Sequence, residues 1–226
     1  MNKLLLALSL SLLSTTVFAA DAVVEEVVVD VAPVFSWTGG YVGIQAGGGW
    51  GDSDFRDGPP NAVADIVDID GFLVGGTIGY NYALSPMFVV GLEGDVAYAD
   101  IDGSFGPGSL AGGFGCGSGP CATEIDWLAT LRGRIGVTFD RFMIFGTGGF
   151  AVAGVESQIQ NSPSYQVDDT SSGWTAGGGV EYAFSDQWSA KVEYLHVDLG
   201  DTDQASNGFF TDNDLDIVRA GINFHF

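Results

Sequence analysis

Eight stretches of this chain place an apolar residue at every second position, and this period constrains the fold more than any other feature. Successive side chains of a β-strand point to opposite faces, so a period of two predicts strands with one apolar and one polar face. Most of the stretches reach the ~9–11 residues that a tilted strand needs to cross hydrocarbon. They are Trp37–Trp50, Phe72–Tyr82, Phe88–Tyr98, Trp127–Phe139, Phe142–Val155, Trp174–Phe184, Trp188–Val197 and Leu215–Phe226.

The connections between these stretches alternate between short and long. The short ones cover residues 83–87, 140–141 and 185–187. The long ones lie near Asp52–Gly71, Ile101–Asp126, Glu156–Gly173 and Asp198–Asp214. Transmembrane barrels of the bacterial outer membrane combine short periplasmic turns with longer outer loops. The sequence therefore predicts an all-β, antiparallel transmembrane barrel rather than a soluble sandwich.

The polar face of the predicted strands carries charges of both signs. Buried charges are tolerated when they are paired and hydrogen-bonded, and eight strands enclose an interior that side chains can fill. We therefore predict an ion-pair network that fills the lumen, with leakage of small ions past it as the alternative. Its members would be Glu93, Asp95, Arg132, Arg134, Glu181, Lys191, Glu193 and Arg219.

Aromatic residues collect on the apolar face near both ends of the stretches. Amphipathic rings favour the two headgroup levels of a bilayer, so this placement predicts two aromatic girdles around an apolar band ~25 Å tall. The girdle residues would be Trp50, Phe72, Tyr82, Phe88, Tyr98, Trp127, Phe139, Trp174, Phe184, Trp188 and Tyr194.

Residues 1–20 have a basic start, a short apolar run and small residues at the end, which predicts a secretory signal peptide. We expect a leader over residues 21–36 and the barrel over residues 37–226. Cys116 and Cys121 enclose a four-residue loop, and in an exported chain a disulfide between them is expected, with two free thiols as the alternative.

The net charge of −22 argues against a nucleic-acid partner, because no basic stripe is present for phosphates. Acidic residues crowd the first and last long connections, where solvated loops are expected and divalent bridging to lipopolysaccharide is the alternative. They are Asp52, Asp54, Asp57, Asp65, Asp68 and Asp70 in the first, and Asp198, Asp201, Asp203, Asp212, Asp214 and Asp216 in the last.

We expect no enzyme, no cofactor and no metal site. Only His196 and His225 could serve as histidine bases, and neither has a neighbouring serine and carboxylate that suggest a triad. The glycine-rich run at residues 146–149 lies inside a predicted strand with no helix after it, so it does not indicate a nucleotide site.

Four motifs resemble the small outer-membrane β-barrel proteins of alphaproteobacteria, a group often described as immunogenic or porin-family outer-membrane proteins. The resemblance covers Trp37 to Phe226. The motifs are W-T-G-G-Y-V-G (Trp37–Gly43), L-R-G-R-I-G (Leu131–Gly136), W-S-A-K-V-E-Y-L (Trp188–Leu195) and V-R-A-G-I-N-F-H-F (Val218–Phe226).

The resemblance implies an eight-stranded up-and-down barrel in the outer membrane, with extracellular loops and both termini in the periplasm. It also implies that Phe224 and Phe226 form a signal read by the outer-membrane insertion machinery. We expect a monomer in contact with lipid and lipopolysaccharide, with a role in envelope integrity and surface interaction. A narrow porin-like channel is the alternative, followed by haemin or divalent-cation binding or a lipid-modifying enzyme.

Overall fold

The computed structural model describes residues 35–57, 63–105, 121–159, 166–200, 202–204 and 209–226. These residues form eight long strands and one short strand. The strands are β1 (Gly39–Asp57), β2 (Val63–Ala83), β3 (Phe88–Phe105), β4 (Cys121–Phe139), β5 (Phe142–Ile159), β6 (Gln166–Ala183), β7 (Trp188–Asp198), β8 (Thr202–Gln204) and β9 (Phe209–His225).

The eight long strands close into an antiparallel barrel. Each strand pairs with the next along the chain, and β9 returns to pair with β1, for example at Ile44 and Ile222. The short strand β8 adds only to the end of β9. The predicted eight-stranded, up-and-down, all-β barrel is therefore confirmed. Within the described residues, no helix is long and apolar enough to cross a membrane.

The strands extend well beyond the predicted stretches at the end away from the short turns. Strand β1 continues to Asp57 and β2 begins at Val63, so the first predicted long connection is mostly strand. The expectation of acidic loops there was wrong. Of the twelve acidic residues assigned to loops, all but Asp201, which lies outside the described residues, belong to β1, β2, β7, β8 or β9.

The outer face of the barrel is apolar in its middle. Ile44, Ile78 and Val96 each expose more than 60% of their surface, although they lie in regular strands. A soluble barrel would not present such side chains to water around its circumference, whereas hydrocarbon accommodates them. All eleven predicted girdle residues also lie on this outer face, near the two ends of the apolar band, and are 38–57% exposed.

The chain enters the barrel at the end with the short turns, here called the lower end. Trp37 is buried before β1 begins, and its indole Nε1 donates a hydrogen bond of 3.1 Å to the carbonyl of Asp140. The Phe35 ring packs edge-on against Trp37, with 4.8 Å between the ring centres. Trp37 was predicted to begin a strand and Phe35 to lie in the leader. The structure instead packs both against the lower end.

Candidate functional site in the barrel interior

The interior of the barrel has three layers along its axis. A lower plug closes the end with the short turns and consists of Phe35, Trp37, Val89, Met143, Phe145 and Ala183. A charged layer occupies the middle and contains the eight ionisable residues predicted for the lumen. An upper core closes the other end with fifteen buried apolar side chains, among them Leu73, Ile101, Leu128, Leu195 and Ile217.

Arg132 is the centre of the charged layer. Its two terminal nitrogens contact three carboxylates, at 2.5 Å from Glu93, 2.7 Å from Asp95 and 2.6 Å from Glu193. Its Nε donates to the hydroxyl of Thr130, which itself donates to Asp95 at 2.6 Å. All three nitrogens of this guanidinium group thus donate to oxygens on β3, β4 or β7.

Arg219 and Lys191 extend the network across the lumen. Arg219 binds both oxygens of Asp95, at 2.8 and 3.1 Å, and donates through Nε to Glu193 at 2.9 Å. The ammonium group of Lys191 lies 2.9 Å from each oxygen of Glu93. These contacts join residues up to 124 positions apart, and together with those of Arg132 they tie the four strands β3, β4, β7 and β9 into one unit.

Arg134 connects the charged layer to the lower plug. Its guanidinium group pairs with Glu181 and lies over the Phe145 ring, 3.9 Å from the ring centre. It also donates to the hydroxyl of Tyr41 at 3.1 Å, and that hydroxyl donates to Glu93 at 2.6 Å. The same side chain therefore holds a charge pair and packs against an aromatic plug.

The structure thus brings all eight predicted lumen residues into contact, and it adds partners that the sequence analysis missed. Tyr41, Thr130, Ser189 and Asn223 each donate a hydrogen bond to a carboxylate of the layer. Strand parity could have identified Tyr41, because it is the polar aromatic residue on the inward face of β1, opposite to Val42. Parity also places Thr130, Ser189 and Asn223 on the inward face, but it does not show which carboxylate each of them reaches.

A serine, a histidine and a carboxylate meet at the lower edge of the charged layer, but not as a triad. Ser189 Oγ lies 2.9 Å from His225 Nε2, and it donates to Glu181 at 2.5 Å. Glu181 approaches the same nitrogen of His225, at 3.6 Å. A catalytic triad requires the carboxylate on the other ring nitrogen. Ser189 is also fully buried, so this arrangement does not present a nucleophile to a substrate.

The side chain of the second histidine, His196, is on the outer face of the barrel wall. The Nδ1 atom of His196 is 2.9 Å from Asp216, and the Tyr194 hydroxyl donates to the same carboxylate oxygen at 2.7 Å. Within the part of the chain that the structure describes, no three His, Cys, Asp or Glu side chains are grouped as a metal site. The predicted disulfide partner Cys116 lies outside the described residues, as does the side chain of Cys121.

The charged layer is closed to water. Its ion-paired residues expose at most 2% of their side-chain area, in a protein whose lipid-facing side chains are widely exposed. A continuous aqueous pore through the layer would leave these atoms accessible. Low-dielectric surroundings are tolerable for eight charges because four cations and four anions alternate in contact. The described side chains of this layer therefore fill the lumen with paired charges.

Comparisons with known proteins agree with this architecture. The sequence profile of the outer membrane protein beta-barrel domain matches residues 5–226. The chain is 36% identical to the 31 kDa outer-membrane immunogenic protein of Brucella melitensis, with 100% of both chains covered. It is 31% identical to the 25 kDa outer-membrane immunogenic protein of Brucella abortus, covering 99% of this chain and 98% of the relative.

Among solved structures, the outer membrane protease OmpT of Escherichia coli is similar, with a TM-score of 0.52 and 11% sequence identity. The match covers 87% of this chain and 99% of that structure, and at this identity it shows the fold alone. The resemblance expected from the motifs is confirmed by the sequence relatives. The chain belongs to the outer membrane protein beta-barrel family, and its location is the bacterial outer membrane.

Proposed function

We propose that this protein is a sealed, monomeric barrel that strengthens the outer membrane and presents its upper end to the outside of the cell. The observation that carries the proposal is the charged layer, in which Arg132, Arg219 and Lys191 are buried between two apolar layers. A barrel that conducts solutes needs a wet path along its axis. A barrel that supports the envelope needs a rigid interior.

Planar-bilayer recording combined with unfolding measurements tests this proposal. We expect the wild-type protein to show no steady conductance and a high unfolding midpoint in urea. The double variant Arg132→Ala/Arg134→Ala removes two cations that contact four carboxylates, so its stability should fall and ion conductance should appear. Steady conductance by the wild-type protein would contradict the proposal and favour the narrow channel instead.

The proposed orientation places both termini in the periplasm and the upper end outside. Short turns at the lower end support it, because outer-membrane barrels have their short turns on the periplasmic side. An epitope inserted within residues 106–120 should bind antibody on intact cells. The same epitope inserted between Ser85 and Pro86 should bind only after permeabilisation. The reverse result would overturn the orientation without affecting the sealed interior.

The role in envelope integrity predicts a phenotype that does not depend on transport. Cells lacking the protein should become more sensitive to detergent, and wild-type protein should restore resistance. The destabilised Arg132→Ala/Arg134→Ala variant should restore it poorly at equal surface level. Full rescue by that variant would separate envelope integrity from the charged layer. Non-enzymatic function is part of the same proposal, supported by the buried and misaligned Ser189, His225 and Glu181.

A further inference from the structure

The outer wall of the barrel changes chemistry sharply above the upper girdle, which is the set of girdle residues at the end away from the short turns: Trp50, Phe72, Tyr98, Trp127, Trp174 and Tyr194. There most inward positions belong to the apolar upper core, and most described outward positions are acidic, except on β6, where Thr170 and Ser172 are outward. We call this band of carboxylates the acidic collar. Its described members are Asp52, Asp68, Asp70, Asp100, Asp102, Glu124, Asp126, Glu156, Asp198, Asp214 and Asp216.

The strand register places carboxylates of the collar directly opposite one another. Asp70 faces Asp102, which faces Glu124, which in turn faces Glu156. On the other side of the barrel, Asp52 faces both Asp68 and Asp214, and Asp214 also faces Asp198. Like charges in directly opposed positions destabilise a sheet. Repulsion between these opposed carboxylates therefore lowers the stability of the folded barrel, and a positively charged partner would reduce this repulsion.

Basic residues do not neutralise the collar. Beyond Lys3, the sequence contains six Lys and Arg residues, of which four lie in the charged layer and Arg141 lies at the lower end. The sixth, Arg56, lies on β1 with its side chain outside the described set. Arg56 is thus the one Lys or Arg residue left for this wall, and the described carboxylates of the collar outnumber it, so the wall has a net negative charge.

The collar borders directly on the upper aromatic girdle. Trp174 Nε1 donates to Asp198 at 2.9 Å, and the Tyr194 hydroxyl donates to Asp216 at 2.7 Å. Trp50 lies opposite Asp216 in the register and exposes 48% of its surface. A partner lying along this border would meet carboxylates on one side and aromatic rings with lipid on the other.

The curvature of the wall favours an extended partner with several positive charges over a single small cation. Side chains on the outside of a barrel diverge, whereas Ca²⁺ needs six to eight oxygens that converge on one point. A chain of spaced positive charges can follow diverging carboxylates, and strands lie about 4.8 Å apart across the wall. An amphipathic helix with Lys or Arg on one face binds at membrane interfaces through its apolar face.

We propose that the acidic collar and the upper girdle together form a docking surface for cationic amphipathic peptides at the membrane surface. The charge complementarity of the collar provides the attraction, and the exposed rings of Trp50, Trp174 and Tyr194 receive the apolar face. The proposal names a partner class for the surface-interaction role given above, and it rests on the proposed orientation for its place in the cell.

Binding to purified protein in nanodiscs of zwitterionic lipid tests the docking surface independently of orientation, because both faces of the disc are accessible. The probe is a fluorescent Lys/Leu peptide of about 20 residues with an amphipathic helical pattern. Control peptides replace Lys by Glu, or Leu by Ser. We expect the Lys/Leu peptide to bind discs with protein more tightly than empty discs, and both control peptides to bind more weakly.

Matched variants locate the binding site. The doubles Asp70→Asn/Asp102→Asn and Asp52→Asn/Asp214→Asn should each weaken binding about fivefold, from roughly 0.5 kcal/mol per exposed charge. The double Asp140→Asn/Asp186→Asn removes the same charge at the lower end and should leave affinity unchanged. Because all six side chains are on the surface, folding of each variant can be verified from its unfolding midpoint in urea.

Four results would overturn the proposal. One is equal affinity of the Lys/Leu peptide for empty discs and for discs with protein. Another is an equal loss of affinity in the lower-end double. A third is tight binding of the Lys/Ser peptide, which would show that the aromatic girdle takes no part. Displacement of the peptide by calcium at matched ionic strength would also count against it, by identifying a divalent cation as the ligand of the collar.

Discussion

The ring of Tyr41 occupies the space above Gly79 on the neighbouring strand. The two residues face each other in the β1–β2 register, and a Cβ atom at Gly79 would lie 2.3 Å from the ring carbon that carries the hydroxyl group. The ring is also fixed at its far end, where the hydroxyl group contacts Glu93 and Arg134. The absence of a side chain at Gly79 therefore leaves the space that the Tyr41 ring fills, and the hydrogen bonds of the Tyr41 hydroxyl group hold the ring in that space.

We expect Gly79→Ala to destabilise the barrel by about 1–3 kcal/mol, the usual cost of forcing an extra methyl group into a packed interior. Unfolding in urea, followed by tryptophan fluorescence in detergent micelles, measures the change. Gly76→Ala is the matched control on the same strand, because its Cβ would point outward and meet nothing nearer than 3.7 Å. Equal midpoints for the two variants would contradict the packing argument.

The fold was largely predictable because one rule, apolar outside and polar inside, governs every strand within the membrane. That rule fails above the upper girdle, where Asp70 points outward and Ile69 points inward. The alternation continues there, but the apolar residues now point inward and the polar residues outward. A search for outward apolar residues therefore ends the strands too early. A register shift between Ile125 and Trp127 also changes the parity of β4 at this level.

The charged layer leads to a second prediction. Arg132→Met removes the cation shared by Glu93, Asp95 and Glu193, and leaves buried carboxylates without their counter-charge. We expect a loss of about 3–5 kcal/mol in the free energy of unfolding. Arg141→Met breaks the exposed ion pair with Asp186 and should cost at most about 1 kcal/mol. Similar losses for both variants would show that burial of the Arg132 network contributes little.

The members of the charged layer could be named from strand parity, whereas their pairing could not. Parity assigns a face to each residue, but it does not determine which side chains reach across the lumen. Arg132 contacts β7 as well as the adjacent β3, and Arg219 reaches Asp95 on β3. Gly47 faces Arg219 in the β1–β9 register, and a Cβ there would lie 2.2 Å from the carbonyl oxygen of Val218 and 2.7 Å from the Cα of Arg219, so this glycine lets the two strands approach closely.

The lower plug gives a third prediction. Trp37→Ala removes a buried ring that packs against Phe35, and we expect a cost of about 3–5 kcal/mol. Trp37→Phe keeps most of the ring and loses only the hydrogen bond to the Asp140 carbonyl, at a cost of about 1 kcal/mol. The two unfolding midpoints should therefore differ clearly. If they coincide, the hydrogen bond rather than the buried ring holds the plug.

The acidic collar gives a prediction of opposite sign. Asp70→Asn/Asp102→Asn removes repulsion between directly opposed carboxylates, so we expect a gain of about 0.2–1 kcal/mol in the free energy of unfolding. The gain should shrink at high ionic strength, because exposed charges are screened. The comparison is Asp186→Asn, which removes an attraction to Arg141 and should lower stability slightly. Loss of stability in the collar double would contradict the repulsion.

Phe226 allows folding stability and assembly to be separated. Its amide donates to the Gly40 carbonyl at 3.1 Å and its ring lies beside Gly40, yet the residue is 74% exposed. We therefore expect deletion of Phe226 to have little effect on refolding of the purified protein into micelles.

If Phe226 and Phe224 are the signal for the insertion machinery, the deletion should sharply lower surface levels in cells, while Phe226→Trp should largely preserve them. Phe184→Ala, at an exposed girdle position of the lower end, is the control and should assemble normally. Equal surface levels for the deletion and the wild-type protein would show that the terminal ring is not read during assembly.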